Sequence, residues 1–200
     1  MKGYCAVVDI ENYTLTEIET TFETNVQGWI SVVEQYIDNE TGRNFKADAS
    51  ASKRYYDGND LNEFYVDECV EVSGLVIKNS MGDTLFTLTK DTHYLTYPYN
   101  ELPIRKLIAK SYNVLGFISF LKGQKNIELT AKWGYSVDVP DGIKFATMIL
   151  VSGIVNFSNN SEGEIKSEKI GDYQVSYKDD QWKDFELAKK IIGQFTKYDV

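Results

Sequence analysis

The stretch that most constrains the fold of this chain is Asn126–Ile143, NIELTAKWGYSVDVPDGI. Ile127, Leu129 and Ala131 alternate with Glu128, Thr130 and Lys132, the period-two pattern of a strand with one dry and one wet face. Gly134 interrupts the alternation between Trp133 and Tyr135. Val139-Pro140-Asp141-Gly142 then turns the chain, because proline fixes its own φ and pushes the preceding residue toward extended geometry. Ile143 opens IKFATMILVSGIV, an apolar run that reads as a buried helix. A strand passing through a rigid turn into a helix implies a mixed architecture. No catalytic motif sits at that junction.

Upstream, Phe22, Val26, Trp29, Ile30, Val33, Tyr36 and Ile37 trace a single helical face, and Gly42 is the natural C-terminal stop. Arg43-Asn44-Phe45 follows as a tie-down. Thr14-Leu15-Thr16-Glu17 fits a capping box with Thr14 as N-cap of a brief helical turn, which leaves residues 1–13 as a short strand or arm. Strand-like pieces then recur at Lys53–Tyr56, Glu63–Val66, Val70–Lys78, Leu85–Leu88, Tyr94–Tyr97 and Ile104–Ile108. Gly, Asn, Asp and Pro turns separate them, the signature of antiparallel hairpins. Tyr112–Phe120 is apolar and fits either helix or strand.

Beyond the Ile143–Phe157 helix, the polar run Ser158–Ser167 is expected to be mobile. Lys169–Tyr177 reads as one strand with Tyr173, Val175 and Tyr177 on a common face. Asp179-Asp180 places negative charge at the start of a last amphipathic helix formed by Trp182, Phe185, Ala188, Ile191, Ile192 and Phe195. The expected fold class is α+β. Helical segments over 1–45 and 136–200, with a mobile stretch at 158–177, flank a β-rich antiparallel insert over 46–135 between the first and second long helices.

A net charge of −9 argues against a duplex-DNA-binding surface, which needs clustered Lys and Arg to neutralise phosphates. Such a surface would instead repel passing nucleic acid or meet a basic partner. No run approaches transmembrane length, so no membrane association is expected, and MKGYCAVVDIENY, broken by Asp9, is not expected to act as a signal peptide. Cys5 and Cys69 lie far apart in apolar or strand-like contexts and read as two reduced thiols. His93 is the sole histidine, so a Ser-His-Asp triad would have to use it and a histidine-rich metal site is impossible.

No Walker A sequence, G-x-G-x-x-G run or Cys-x-x-Cys is present, and no metal, cofactor or catalytic residue is expected. Asp57-Gly58-Asn59-Asp60 resembles part of a calcium loop but lacks its alternating ligands and terminal Glu, and a hairpin turn fits better. Two further classes remain open on the residues alone. The aromatic pairs Tyr55-Tyr56 and Phe64-Tyr65, with Tyr94, Tyr97 and Tyr99, suit either a sugar-binding β module or a sheet packed on both faces. Thirty acidic residues also admit a carboxylate-based hydrolase, although nothing picks out one pair.

The order of these parts carries a resemblance. A helix ends in Thr41-Gly42-Arg43-Asn44-Phe45, and a β-rich stretch carries Arg54-Tyr55-Tyr56-Asp57-Gly58. A strand closes in Trp133-Gly134-Tyr135 and runs through Val139-Pro140-Asp141-Gly142-Ile143 into a helix, and Ile170-Gly171-Asp172-Tyr173-Gln174-Val175-Ser176-Tyr177 comes last. From about Thr14 onward the chain resembles the head–tail connector (adaptor, head-completion) proteins of tailed bacteriophages. The resemblance implies a non-enzymatic virion protein of the neck, present in the host cytoplasm during assembly. It implies a helical adaptor core and a ring of twelve subunits beneath the portal, with the next neck or tail-completion protein as a further partner. DNA would pass through its channel without specific binding. Carried onto this chain, the implied oligomer and portal contacts are Arg43, Phe45, Ile170, Asp172, Tyr173, Tyr177, Trp182, Phe185, Ile192 and Phe195. Arg43 reads equally well as a helix-end or carboxylate partner.

Overall fold

The computed structural model describes residues 2–110, 116, 118–159, 167–170, 173–176 and 180–197. Among the described residues, four helices, a six-stranded antiparallel sheet and a separate two-stranded pair make a mixed α+β architecture. It divides into two compact units, Met1–Arg43 with Val139–Val200, and Asn44–Asp138.

The first unit is built on α1 (Val7–Thr14), α2 (Thr20–Thr41), α3 (Asp141–Asn159) and α4 (Asp180–Gly193). α2 buries Val26, Ile30, Val33, Glu34, Ile37 and Thr41, the spacing of one helical stripe, and ends at Gly42 in the left-handed conformation (φ 66°). α3 packs against α1, α2 and α4. Its buried face runs through Ile143, Ala146, Ile149 and Val155. Gly142 lets α4 come close: a Cβ there would lie 3.3 Å from Ile191 and 3.4 Å from the Phe195 ring.

The N-terminal segment departs from the sequence expectation. Thr14 ends a helix instead of opening one, and α1 occupies ground read as a strand or arm. The start signal lies at Asp9, whose carboxylate accepts the Ala6 N–H at 2.8 Å and closes the first turn. Leu15 then leaves the helix at φ 54°. Asp9 also pairs with Lys144 at 2.8 Å. Burial opposes ionisation of Asp9, but the Lys144 ammonium and the Ala6 N–H outweigh it and hold the carboxyl below its usual range.

The second unit holds β1 (Ser52–Gly58), β2 (Glu63–Lys78), β3 (Thr84–Leu88), β4 (Tyr94–Tyr97), β5 (Ile104–Ala109) and β6 (Gly123–Trp133), in the order β1-β6-β2-β5-β4 with β3 beside β2. The two strands expected at Glu63–Val66 and Val70–Lys78 are one. β2 pairs with β5 through Glu63–Cys69 and with β6 through Cys69–Ile77, and β3 joins it at Leu75–Lys78. Register shifts beside Cys69 and Val72 let one strand bend between two partners, because a bulge adds a residue on one side and increases local twist.

The dry face of β6, Ile127, Leu129, Ala131 and Trp133, meets Leu75, Ile77, Leu88, Leu107, Phe64 and Phe120 in one core. Phe64 stacks on Phe120 at 5.0 Å, and Tyr56 meets Phe64 edge-on. On the other face Glu128, only 6% exposed, takes ion pairs of 2.6 Å from both Lys53 and Lys78. Those two hydrogen-bonded ammonium groups hold its carboxyl below the usual range.

Of the C-terminal expectations, the single strand over Lys169–Tyr177 is instead an antiparallel pair, β7 (Ser167–Ile170) with β8 (Tyr173–Ser176). A strand alternation broken by Gly171-Asp172 suits a hairpin as well as a continuous strand. Within the stretch read as mobile, Ser158 and Asn159 belong to α3, and 160–166, 171, 172 and 177 lie outside the described residues. Most of Tyr112–Phe120 does too.

Two substitutions test this reading. Gly134 has φ 144°, and a Cβ there would lie 2.5 Å from the Ala47 Cα, so Gly134→Ala should cost roughly 2–4 kcal/mol in urea unfolding. Glu128→Gln should cost about 1 kcal/mol near neutral pH. The folded-state pKa of Glu128 is depressed, so its contribution exists above the unfolded-chain value and is lost as pH falls through the folded one. The variant's deficit should therefore vanish in acid; a deficit unchanged there would assign it to packing.

Candidate functional site

Glu34 sits on the buried stripe of α2, a position where a carboxylate needs partners close by. It finds them in the N-terminal arm. The backbone N–H groups of Lys2, Gly3 and Tyr4 donate to its two oxygens at 2.6, 2.7 and 2.8 Å. One helical turn on, Asp38 accepts the Tyr4 hydroxyl and pairs with the Lys2 ammonium. Tyr4 is thereby almost wholly buried. A concavity of about 500 Å³ lies alongside, lined by Lys2, Ser31, Glu34, Gln35, Asp38, Asn39, Gly42 and Arg43.

At the far end of that concavity the C-terminus of α2 meets the segment after α4. Arg43 Nε donates to the Phe195 carbonyl at 2.6 Å, and the Lys197 N–H donates to the Thr41 carbonyl at 2.9 Å. The second bond satisfies a carbonyl that a helix end leaves without an intrahelical donor. Of the residues singled out from sequence, Arg43 and Phe195 are thus brought together within this unit, with Arg43 acting at helix ends. Ile192 is buried at 4% exposure, and Phe185 lies half-buried with the Lys189 ammonium 4.8 Å over its ring.

The other expected contacts fall elsewhere. Phe45 belongs to the β unit, where it is fully buried and edge-on to Tyr135 at 5.5 Å. Ile170 and Tyr173 face each other in the register of the β7–β8 pair, and Trp182 lies in α4. Asp172 and Tyr177 lie outside the described residues. The residues that sequence reading missed are Lys2, Tyr4, Glu34 and Asp38. The available signal was Glu34 itself, an acid falling between Val33 and Ile37 on an otherwise apolar stripe.

Reactive chemistry is poorly served. Burial, with Asp9 and Glu34 nearby, pushes the Cys5 thiol up to about 12, and burial together with Asp67 does the same for Cys69. Neither supplies thiolate at neutral pH. His93 accepts the Thr89 N–H at Nδ1 (2.9 Å) within its loop. Among the described residues no group of His, Cys, Asp or Glu could hold a metal ion. The hairpin turn expected at Asp57-Gly58-Asn59-Asp60 is not formed, because β6 lies between β1 and β2. Asp57 instead accepts the Lys125 N–H from β6, and Asn59 accepts the Leu61 N–H within the connection to β2. No described helix is long and apolar enough to cross a membrane.

Charge is unevenly divided. The unit formed by residues 1–43 and 139–200 carries 18 acidic and 10 basic side chains, whereas residues 44–138 carry 12 and 11. Residues 1–43 alone hold eight acids against two bases.

No family model and no curated protein sequence matches the chain. Solved structures do. A chain in the neck of an empty GTA particle computed with C6 symmetry aligns at TM-score 0.59 and 10% identity, covering 100% of this chain and 93% of that one. A chain in the virion of a native gene transfer agent (GTA) particle aligns at TM-score 0.53 and 11% identity, covering 100% and 92%. The chain therefore shares, over its full length, the fold of chains in a phage-like neck and virion, which is where the order of its segments pointed.

Removing the arm's acceptor gives a direct check on this site. Glu34→Ala should leave three N–H groups without their carboxylate, costing about 2–3 kcal/mol. Hydrogen exchange at Lys2, Gly3 and Tyr4 should rise to near the open-chain rate. Protection retained at those three amides would show that the arm is held by something else.

Proposed function

We propose that this chain is a structural neck component of a tailed-phage-like particle: a head–tail connector subunit that forms a ring beneath the portal, continues the DNA channel and joins head to tail. The observation that carries this reading is the full-length correspondence of fold with a chain from a particle neck. The C6 symmetry in that structure's description supports a ring of copies, and the twelve subunits implied by the resemblance are compatible with it. In this reading the helical unit forms the ring core, and the protein acts without enzymatic turnover.

The charge distribution supports the channel role. DNA is held by phosphate contacts to Lys and Arg, so a wall rich in carboxylates lets it slide. In residues 1–43 the exposed acids Glu17, Glu19 and Glu40 carry that acidity at the surface. The contacts to neighbours and portal are assigned to the β7–β8 hairpin, through Ile170 and Tyr173, and to α4, through Trp182 and Phe185. Phe45 and Ile192 serve their own units' interiors instead.

Electron microscopy of the portal protein from the same particle, with and without this chain, tests the proposal. The expected result is an added ring of density below the portal. Intact portals without that ring, in the presence of folded protein, would overturn portal docking.

A further inference from the structure

The β unit carries a second concavity, of about 330 Å³, lined by Tyr65, Tyr97, Pro98, Glu101, Arg105 and Lys106. Register places Tyr65, Lys106 and Tyr97 in one row across β2, β5 and β4 on the sheet face opposite the core. The Lys106 ammonium lies 4.8 Å from the Tyr97 ring centroid and 5.7 Å from that of Tyr65, and is held there by Glu63 at 2.8 Å. Tyr99 meets Tyr97 edge-on at 5.5 Å. All three rings are open to solvent, at 71% for Tyr65, 44% for Tyr97 and 60% for Tyr99. Nothing in the fold of the unit requires three tyrosines to be exposed together.

The polar groups at this end decide what such rings could receive. Lys106 is ion-paired with Glu63, and Arg105 gives its Nε to Glu68 at 3.2 Å. With Glu101, three carboxylates stand against two cations, so phosphate-bearing ligands meet no net attraction. Glu101 makes no hydrogen bond among the described residues, and the remaining N–H groups of Arg105 are likewise uncommitted. The concavity thus combines aromatic faces with one acceptor and one fork of donors, without surplus positive charge.

We propose that this concavity binds neutral saccharide, a pyranose ring lying on the tyrosines. The C–H face of a pyranose is apolar and carries slight positive charge, which suits the negative face of an aromatic ring. Its rim of hydroxyls both donates and accepts, matching Glu101 and Arg105, and a few such groups in an otherwise apolar lining are what fix a ligand's orientation. Lys106 restrains Tyr65 and Tyr97 before ligand arrives, which lowers the ordering cost of binding. The site does not depend on the neck assignment.

The full-length protein should be titrated with neutral trisaccharides of glucose, N-acetylglucosamine, galactose and rhamnose, followed by saturation-transfer NMR and calorimetry. A proline-rich peptide and an oligothymidine serve as competing ligand classes. At least one trisaccharide should bind with Kd of about 0.1–10 mM. Tyr97→Ala and Tyr65→Ala should each weaken it by about tenfold or more with the amide spectrum unchanged, while Tyr97→Phe stays within about threefold. Because Tyr65 lines the concavity and is mostly exposed, that variant separates lost binding from lost folding. No saccharide binding at about 10 mM, binding indifferent to Tyr65→Ala, or capture of the peptide in place of the sugars would each overturn the proposal.

Discussion

The structure depends on the chain entering and leaving the β unit at one place. Asn44–Asp48 and Trp133–Ser136 run past each other and exchange hydrogen bonds: Tyr135 N–H to the Asn44 carbonyl, Ala47 N–H to Ser136 and Asp48 N–H to Trp133, all between 2.7 and 2.9 Å. The Ser136 hydroxyl adds a bond to the Phe45 carbonyl. An inserted unit can interrupt a helical one only if its two ends are close, and this short ladder makes them so. Gly134 is the enabling residue, because its missing Cβ is the space into which the Ala47 backbone fits.

Much of this was legible in the sequence where burial follows a simple period. The stripe of α2, the strands around the Gly and Asn turns, and the dry face of β6 all follow from apolar spacing. The failures share a cause: each feature is set by a contact that periodicity does not encode. α1 is too short to display a convincing stripe, and its start depends on one carboxylate folding back onto Ala6. β2 looks interrupted because bulges break its alternation while its backbone continues. The β7–β8 pair is hidden because both strands read as one alternation across Gly171.

The arm site was hidden for a different reason. A buried acid normally signals a cation or a catalytic role, yet Glu34 is matched by three backbone N–H groups that any residues could supply. Its partners leave no side-chain signature at positions 2–4 beyond Lys2 and Tyr4, which reach Asp38 instead. The sequence signal was therefore one-sided. An acid between Val33 and Ile37 announces that something must meet it, without saying what.

The partition of charge bears on how copies of such a chain could sit side by side. Glu34 is buried and Asp9 and Asp38 are ion-paired, but the exposed Glu17, Glu19 and Glu40 would repel their counterparts on an adjacent copy at separations within a Debye length, about 8–10 Å at physiological salt. A ring that turned α1 and α2 toward its axis would converge these faces, at a cost that other contacts must offset. α4 and the segment after it carry Lys189, Lys190 and Lys197, all exposed, in the same unit. Asp180, Asp184 and Glu186 balance the three lysines of α4 itself. Placing its lysine-bearing C-terminal end, with Lys197, against the acidic surface of the next copy would therefore offset part of that repulsion in a head-to-tail contact, the kind that closes a ring. In the proposed ring, the acidic surface of residues 1–43 and the lysines of α4 would be two sides of one arrangement.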